Sequence, residues 1–323
     1  VSRLRDLSAE AARLDVALAG DPVFLDPERV ADAEAVLERA RRTSSPPPGP
    51  SAAFTRAGYA VGASNQLAVR AADAVVSAPG SRYNPLFLHG PSGVGKTHLL
   101  HAIGNGLAES IAGPVACVPA QWFVDELIAA LQEGSVDRWR SRYRASTALL
   151  LDDVQFVAGK ERTQEELFHV FNFLHGEGKQ IILASDRPPR ELTGLEERLR
   201  SRFEGGLVVE LQAPDRALRE RLYQRFLDEA GAATAPELLA FLAERPAANV
   251  REIIGTVNRL VAAAEVAAVP ITLAMARAEI EPTITTVGHG AALQTAADPF
   301  FLDEEKVVWD WADATARLIE ELR

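Results

Sequence analysis

The sequence has a single cysteine, Cys117, and therefore cannot form a disulfide within the chain. Its N-terminus lacks the apolar segment of a secretory signal, and no apolar run approaches the length of a membrane span. These absences argue against a secreted protein and against a membrane-spanning one. We expect a cytoplasmic protein without a membrane partner.

Positive charge is also scarce, because 34 Lys and Arg residues are outnumbered by 45 Asp and Glu residues and the formal net charge is −11. Tight binding to duplex DNA over a broad surface requires neutralisation of many phosphates, so this balance argues against it. Any contact with nucleic acid must be local. The apolar content of 47% over 323 residues is sufficient for two domains, or for one large domain with appendages.

The most informative pattern is the run from Gly90 to Thr97, which fits the phosphate-loop sequence G-x-x-x-x-G-K-[ST] in full. It follows the apolar run Leu86–Leu88 and precedes a helix-like pattern that begins near Leu99. Glycines allow backbone N–H groups to close around phosphate oxygens, a lysine reaches the outer phosphates, and a hydroxyl ligates magnesium. The positive end of the following helix adds to this attraction. The sequence therefore predicts binding of a nucleoside triphosphate.

Two adjacent carboxylates, Asp152 and Asp153, follow the apolar run Leu149–Leu151. Because side chains alternate in direction along a strand, one acid is expected to face the magnesium while the other addresses the attacking water. Phosphoryl transfer requires both a metal that neutralises charge and a group that orients the nucleophile. The alternative, a strand end followed by helix-capping acids, is less favoured after a complete phosphate loop.

The centre of the chain alternates apolar β-like runs with helical patterns, which indicates a parallel sheet covered by helices. From Pro214 onward the pattern is wholly helical, which predicts a helical lid after an α/β core. The expected strands are Leu86–Leu88, Val115–Val118, Ala148–Leu151, Ile181–Ala184 and Leu207–Leu211, and the expected lid helices are Arg216–Gly231, Pro236–Arg245 and Asn249–Ala267.

Short helical extensions are predicted at both termini, beginning with an amphipathic helix from Leu4 to Leu18. The run Asp21–Val30 returns as Asp298–Val307 with seven identities in ten positions, which we interpret as a docking module used twice. Two coincidentally similar helix starts are the alternative. The predicted organisation is an N-terminal helical extension (1–42), a proline-rich linker (43–52), an α/β nucleotide-binding core (53–213), a helical lid (214–282), a connector (283–297) and a C-terminal helical module (298–323).

The run LLLDDVQFVAGKERTQEE from Leu149 to Glu166 closely resembles the ATPase domain of the bacterial chromosomal replication initiator, the DnaA family of AAA+ proteins. The resemblance covers roughly residues 53–282 and implies an α/β AAA+ P-loop NTPase core, with a parallel five-stranded sheet between helices, followed by a helical lid. Further segments that carry it are 59–65, 83–87, 95–105, 184–189, 198–203 and 249–252.

The resemblance also implies ATP and Mg²⁺ as cofactors and assigns residues to them. Thr97 and Asp152 would ligate the Mg²⁺, and Asp153 would lie beside the attacking water. The implied nucleotide-binding residues, from the adenine side to the phosphates and the lid, are Tyr59, Val61, Asn65, Gly90, Gly93, Val94, Gly95, Lys96, Thr97, His98 and Arg251.

Three further residues match positions that read the γ-phosphate in this family. Asp186 occupies the sensor-one position, Arg251 in the lid matches sensor two, and Arg202 matches the arginine finger that reaches the ATP of a neighbouring subunit. Guanidinium groups are always charged and hold phosphate oxygens bidentately, which suits such a role. A solvated charged face is the alternative for either arginine.

A helical insertion from Gln121 to Arg144 resembles the segment that distinguishes initiators from other AAA+ proteins and that lines a channel for single-stranded DNA in that family. The positions that match its DNA-contacting residues are Ile128 and Arg162. Arginines at every second position from 138 to 144 add local positive charge, although helical geometry spreads them around the axis. Single-stranded DNA binding is therefore an open hypothesis.

Initiators of this family continue into a helix-turn-helix domain that reads duplex origin sites, whereas residues 283–323 are too short and too acidic to supply one. We therefore expect no sequence-specific binding of duplex DNA. The resemblance implies an ATPase that is slow unless oligomeric, that assembles with itself or another AAA+ initiator-family subunit, and that acts in or regulates replication initiation. The alternative is an ATP-dependent interaction switch unrelated to replication and recruited through the duplicated terminal modules.

Overall fold

A computed structural model describes residues 46–280. The predicted terminal helices, the duplicated module and the connector lie outside these residues. The helices, in chain order, are α1 (Gln66–Ser77), α2 (Lys96–Ser110), α3 (Ala120–Gln132), α4 (Val136–Arg144), α5 (Glu161–Gly176), α6 (Glu197–Glu204), α7 (Arg216–Glu229), α8 (Pro236–Glu244), α9 (Val250–Ala267) and α10 (Leu273–Ile280). The strands are β1 (Leu86–His89), β2 (Val115–Pro119), β3 (Ala148–Asp152), β4 (Gln180–Ser185) and β5 (Leu207–Glu210).

The five strands form one parallel sheet in the order β2-β3-β4-β1-β5. Strands β3 and β4 consist almost wholly of apolar residues, as expected for parallel strands that are covered on both faces. The predicted sheet is confirmed, and each strand end lies within one residue of its predicted position.

Alternation along the strands divides the core into two layers. Leu149 and Leu151 point into a cluster formed with α3, α4, α5 and α6, whereas Leu150 points into a cluster formed with α1 and α2. The helical insertion predicted for 121–144 is present as α3 and α4, and Trp139 and Tyr143 anchor it in the first layer. Helices thus cover both faces of the sheet, and the carboxyl ends of its parallel strands lie along one edge.

The predicted lid is present as α7, α8 and α9, with a further helix, α10, and it has an apolar cluster of its own. Asp215 caps α7 by accepting a hydrogen bond from the Leu218 N–H at 2.9 Å, and Asn249 caps α9 by accepting one from the Glu252 N–H at 2.9 Å. Among residues 46–280, none of the helices is both long and apolar enough to cross a membrane.

The proline-rich segment contains neither helix nor strand between residues 46 and 52, as its prolines require, but in this part it is not a free linker. The Pro48 carbonyl accepts a hydrogen bond from the Cys117 N–H of edge strand β2 at 2.7 Å. The Ser51 carbonyl accepts another from Asn105 Nδ2 at 2.8 Å. The segment therefore covers the edge of the sheet and belongs to the core.

Candidate nucleotide site

Three predicted groups of site residues meet at the carboxyl edge of the sheet. The phosphate loop follows β1, Asp152 ends β3, and Asp186 follows β4. β1 and β3 both pair with β4 in a parallel sheet. The carboxyl ends of these three strands therefore lie side by side, with that of β4 in the middle. This edge is the usual position of ligand sites in open α/β sheets.

Backbone conformations that favour glycine shape the phosphate loop. Gly90 has a φ of 153°, and a Cβ atom there would lie 2.2 Å from the Leu211 carbonyl oxygen. Gly95 has a φ of 98° and caps α2, where a Cβ atom would press against the Tyr59 ring. Only glycine permits these conformations without strain, so both predicted positions are required by the local geometry.

Lys96 is the first residue of α2 and is buried. Its Nζ donates hydrogen bonds to the Gly90 carbonyl at 2.8 Å and the Pro91 carbonyl at 3.0 Å. Burial lowers the pKa of Lys96, while the charges of Asp153 and Asp152 act in the opposite direction. An ammonium group has three donors, so these two bonds leave one for an outer phosphate oxygen.

Asp152 is buried, and its burial together with the nearby charge of Asp153 raises its pKa to about 6. A hydrogen bond from the Thr97 side chain acts against this rise. The structure therefore brings together Thr97 and Asp152, the two residues predicted to hold Mg²⁺. A hydroxyl and a carboxylate are oxygen donors of the kind that magnesium prefers.

We expected alternation along a strand to orient the side chain of Asp153, and this expectation was wrong. β3 ends at Asp152, and Asp153 has a left-handed backbone with φ 52° and ψ 48°. Alternation along a strand therefore does not orient its side chain. Its N–H donates to Asp152 Oδ1 at 3.0 Å, and its Oδ1 accepts a bond from Gln155 Nε2 at 2.9 Å.

Asp186 lies at the same edge and is paired with its neighbour Arg187. The guanidinium donates from Nε at 3.0 Å and from Nη2 at 2.7 Å, and this pairing holds the pKa of Asp186 below its ordinary value. Sequence reasoning did not identify this pair, although the two residues are adjacent. The carboxylate predicted to be sensor one is thus paired with an arginine.

The predicted adenine side is an ordered loop next to the phosphate loop. Asn65 is buried, accepts a bond from the Gly62 N–H at 2.8 Å and donates to the Ala60 carbonyl at 2.9 Å. The Tyr59 ring is buried and packs edge-on against His98, with centroids 5.2 Å apart. These residues fix the backbone of the loop by hydrogen bonds and ring packing.

The two remaining predicted residues of this region are part of the core that supports it. Val94 is buried, and Val61 is partly buried against the same apolar cluster. Sequence reasoning missed Asp215, whose Oδ2 accepts a bond from the Ser64 N–H at 3.2 Å. The same carboxylate caps α7, so it joins the adenine side to the lid.

The lid is also joined to the phosphate loop. Arg251 Nη1 donates to Ser92 Oγ at 2.7 Å, and the Val250 N–H donates to the Gly93 carbonyl at 2.9 Å. The residue predicted as sensor two is therefore placed at the loop that would hold the phosphates.

Arg202 lies away from these contacts, on α6. Its guanidinium carbon is 6.0 Å from the centre of the Phe168 ring, and that of Arg198 is 5.0 Å from the same ring. Arg202 is exposed. Among residues 46–280, the structure therefore records no contact between Arg202 and the phosphate loop of its own chain.

The residues predicted to contact DNA are on the surface. Ile128 is 47% exposed, and the Arg162 side chain is 52% exposed and paired with Glu165 at 2.5 Å and Glu166 at 3.1 Å. Two of the four arginines expected to supply local positive charge on α4 are paired with acids. Arg140 pairs with Glu166 at 2.5 Å and Arg142 with Glu126 at 2.7 Å, so these two stabilise the packing of α4 on its neighbours.

The raised pKa of Asp152 predicts that Asp152→Asn stabilises the metal-free and nucleotide-free protein at pH 7.5. A shift from 3.8 to about 6 corresponds to a cost on the order of 3 kcal/mol in the free energy of unfolding. The parent protein is destabilised by this full amount above about pH 6, where the Asp152 carboxyl is ionised in both the folded and the unfolded state. This cost decreases as the pH falls below about 6 and disappears below 3.8, where both states are protonated.

Thermal unfolding in a chelator at several pH values between 7.5 and 4.5 measures this effect. The stability gap between Asp152→Asn and the parent should narrow over that range. Glu109→Gln is the control, because Glu109 is exposed. A gap that is absent at pH 7.5, or that is independent of pH, contradicts the prediction.

Comparison with known proteins agrees with this geometry. The family model described as the bacterial DnaA ATPase domain matches residues 51–210. The chromosomal replication initiator protein DnaA of Thermomicrobium roseum is 46% identical over 235 residues, which are 72% of this chain and 50% of that protein. The chain spans about half the length of the curated relatives it matches.

Solved structures show the same relationship. The crystal structure of domain III of the Thermotoga maritima replication initiation protein DnaA has 36% identity and a TM-score of 0.67, and the match covers 74% of this chain and 100% of that one. A structure of the replication initiator DnaA bound to AMPPCP and single-stranded DNA has 41% identity and a TM-score of 0.61, with 65% of each chain covered. The chain therefore belongs to the DnaA family and contains its AAA+ ATPase domain.

Proposed function

We propose that this chain binds ATP with Mg²⁺ at the carboxyl edge of its sheet and that its lid reads the nucleotide state. The proposal rests on two hydrogen bonds from α9 to the phosphate loop. Arg251 donates one to Ser92, and Val250 donates the other to Gly93. A phosphate group held by this loop would meet the lid arginine directly. A related DnaA structure contains AMPPCP, which supports the choice of an adenine nucleotide.

The residues of the site fit such a ligand. Lys96 and the backbone of the loop would hold the phosphates, and Thr97 with Asp152 would hold Mg²⁺. When bound, the metal ion would neutralise charge on the phosphate oxygens. Asp153 and Asp186 would lie on the side of the attacking water. Asp152, which is buried, and its neighbour Asp153 favour a divalent cation because it offsets their mutual repulsion.

Lys96→Ala is expected to abolish binding of Mg·ATP, or nearly so, because it removes the mobile cation that is aimed at the outer phosphates. Isothermal calorimetry with folded protein and millimolar Mg·ATP measures the loss, and thermal protection by the nucleotide provides a second readout. Lys160→Ala removes a lysine that bonds Gln121 and should bind like the parent. A parent protein that gives no heat, or a Lys96→Ala variant of equal affinity, refutes the proposed site.

We further propose that hydrolysis requires a second subunit, which donates Arg202. This residue is exposed on α6, and the contact recorded for it is with the Phe168 ring rather than with the phosphate loop. A guanidinium held at the surface by an aromatic ring is positioned for the nucleotide of a neighbour. An isolated subunit would then lack one of the charges that stabilise the transition state.

Turnover per subunit should therefore rise with protein concentration in the parent. Arg202→Ala should lower the rate of the assembled protein by a factor on the order of 10³, the lower range for arginine fingers. Arg82→Ala, which alters an exposed arginine at the opposite edge of the sheet, should behave like the parent. Equal, concentration-independent rates for the parent and Arg202→Ala would remove the oligomeric mechanism.

We also propose a role in replication initiation through local contact with single-stranded DNA at Ile128 and Arg162. Both residues are exposed, on α3 and at the start of α5, and a related DnaA has been solved with single-stranded DNA. The acidic net charge restricts such contact to a small area. An interaction switch unrelated to replication would have no need of this contact.

Fluorescence anisotropy with a labelled oligo-dT strand, in the presence of AMPPCP, tests the contact. Both Ile128→Ala and Arg162→Ala should weaken binding. Arg162→Ala alone should also reduce the slope of log affinity against log salt by about 0.7, because one phosphate contact is lost. Arg82→Ala is the control. Binding that is undetectable at low salt, or unchanged in Arg162→Ala, would favour the interaction switch.

A further inference from the structure

The side-chain amide of Gln155 bridges the carboxyl ends of two neighbouring strands. Its Nε2 donates to Asp153 Oδ1 at 2.9 Å, just after β3. Its Oε1 accepts from Ser185 Oγ at 3.1 Å and from the Asp186 N–H at 3.3 Å, at the end of β4. We propose that Gln155 is a positioning residue for ATP hydrolysis, which holds the Asp153 carboxylate in register with Asp186. This inference rests on the proposed function and adds a residue to it.

The chemistry of the partners determines the orientation of the amide. An ionised carboxylate only accepts hydrogen bonds, and a backbone N–H only donates them. The nitrogen must therefore face Asp153 and the oxygen must face Asp186, so a flipped amide would lose both bonds. Glutamate at position 155 would keep the acceptor but lose the donor, and it would add a third negative charge beside Asp152 and Asp153.

Asp153 depends on such a support because the strand does not provide one. It lies beyond the last residue of β3, in a left-handed conformation and only half-buried. Within residues 46–280, the hydrogen bond from Gln155 Nε2 is the one that the structure records for the Asp153 carboxylate. A misplacement of about 1 Å in a catalytic group can lower a rate roughly a hundredfold. Fixing Asp153 is therefore a function that Gln155 can perform without touching the nucleotide.

The other end of the bridge lies at Asp186, the residue predicted to read the γ-phosphate. Asp186 is tied to Arg187 by two bonds, and Gln155 holds its backbone N–H. A displacement of the β4 end would therefore shift the amide and with it Asp153. Through Gln155 the two acids move as one unit, which joins the state of the sensor-one position to the alignment of the attacking water.

The test compares Gln155→Leu and Gln155→Glu with the parent at a protein concentration where turnover no longer rises. Both variants should lower kcat by roughly ten- to a hundredfold. Gln155→Leu, which adds no charge, should leave the AMPPCP dissociation constant within about twofold, because the amide acts on the water side only. Gln180→Leu is the matched control. It removes a bridging amide at the opposite end of β4, where Gln180 bonds Tyr83 and Gly80, and should keep the parental kcat.

A second measurement separates positioning from a general structural effect. Adding Gln155→Leu to an Asp153→Ala background should cause no further loss in single-turnover rate, because the bridge acts through Asp153. An additional loss in that background, or equal losses of kcat and AMPPCP affinity, would overturn the inference. If the parent hydrolyses ATP and Gln155→Leu hydrolyses it at the same rate, the role of Gln155 is refuted and the proposed function stands. A parent that does not hydrolyse ATP at any concentration overturns the proposed hydrolysis, and the role of Gln155 with it.

Discussion

The convergence of a buried acid, Asp152, with the half-buried Asp153 and a buried lysine at one edge of the sheet is the constraint on which the rest of the site depends. Burial raises the pKa of Asp152 and lowers the pKa of Lys96, and in each case the charged form of the group is disfavoured. The negative charges of Asp152 and Asp153 partly restore the charged form of Lys96. A triphosphate with a divalent cation supplies opposite charge to each member of this set, which is why the edge suits that ligand.

The lid is held against this edge at two separated places. Arg251 and Val250 bond the phosphate loop, and Asp215 joins the adenine loop to α7. Because the lid has its own apolar core, it can transmit a change at either contact as a single unit. These contacts are the physical basis of the proposal that the lid reads the nucleotide state.

Three arginines on or next to the insertion have acidic partners. Arg140 and Arg162 share Glu166, and Arg142 pairs with Glu126. The Arg140–Glu166 pair joins α4 to α5, and the Arg142–Glu126 pair joins α4 to α3. These three arginines therefore contribute to the packing of the insertion.

The sequence by itself determined the sheet, the phosphate loop and the position of Asp152 at the end of β3, because apolar runs and glycine spacing act over a few neighbouring residues. The tertiary structure decided the contacts between distant residues. Gln155 meets Ser185 across 30 positions, Ser64 meets Asp215 across 151, and Arg251 meets Ser92 across 159. It also decided the left-handed turn at Asp153 and the packing of residues 46–52 on β2. No local pattern specifies such pairs, because each side chain finds its partner only when the parallel strands and the lid have brought their ends together.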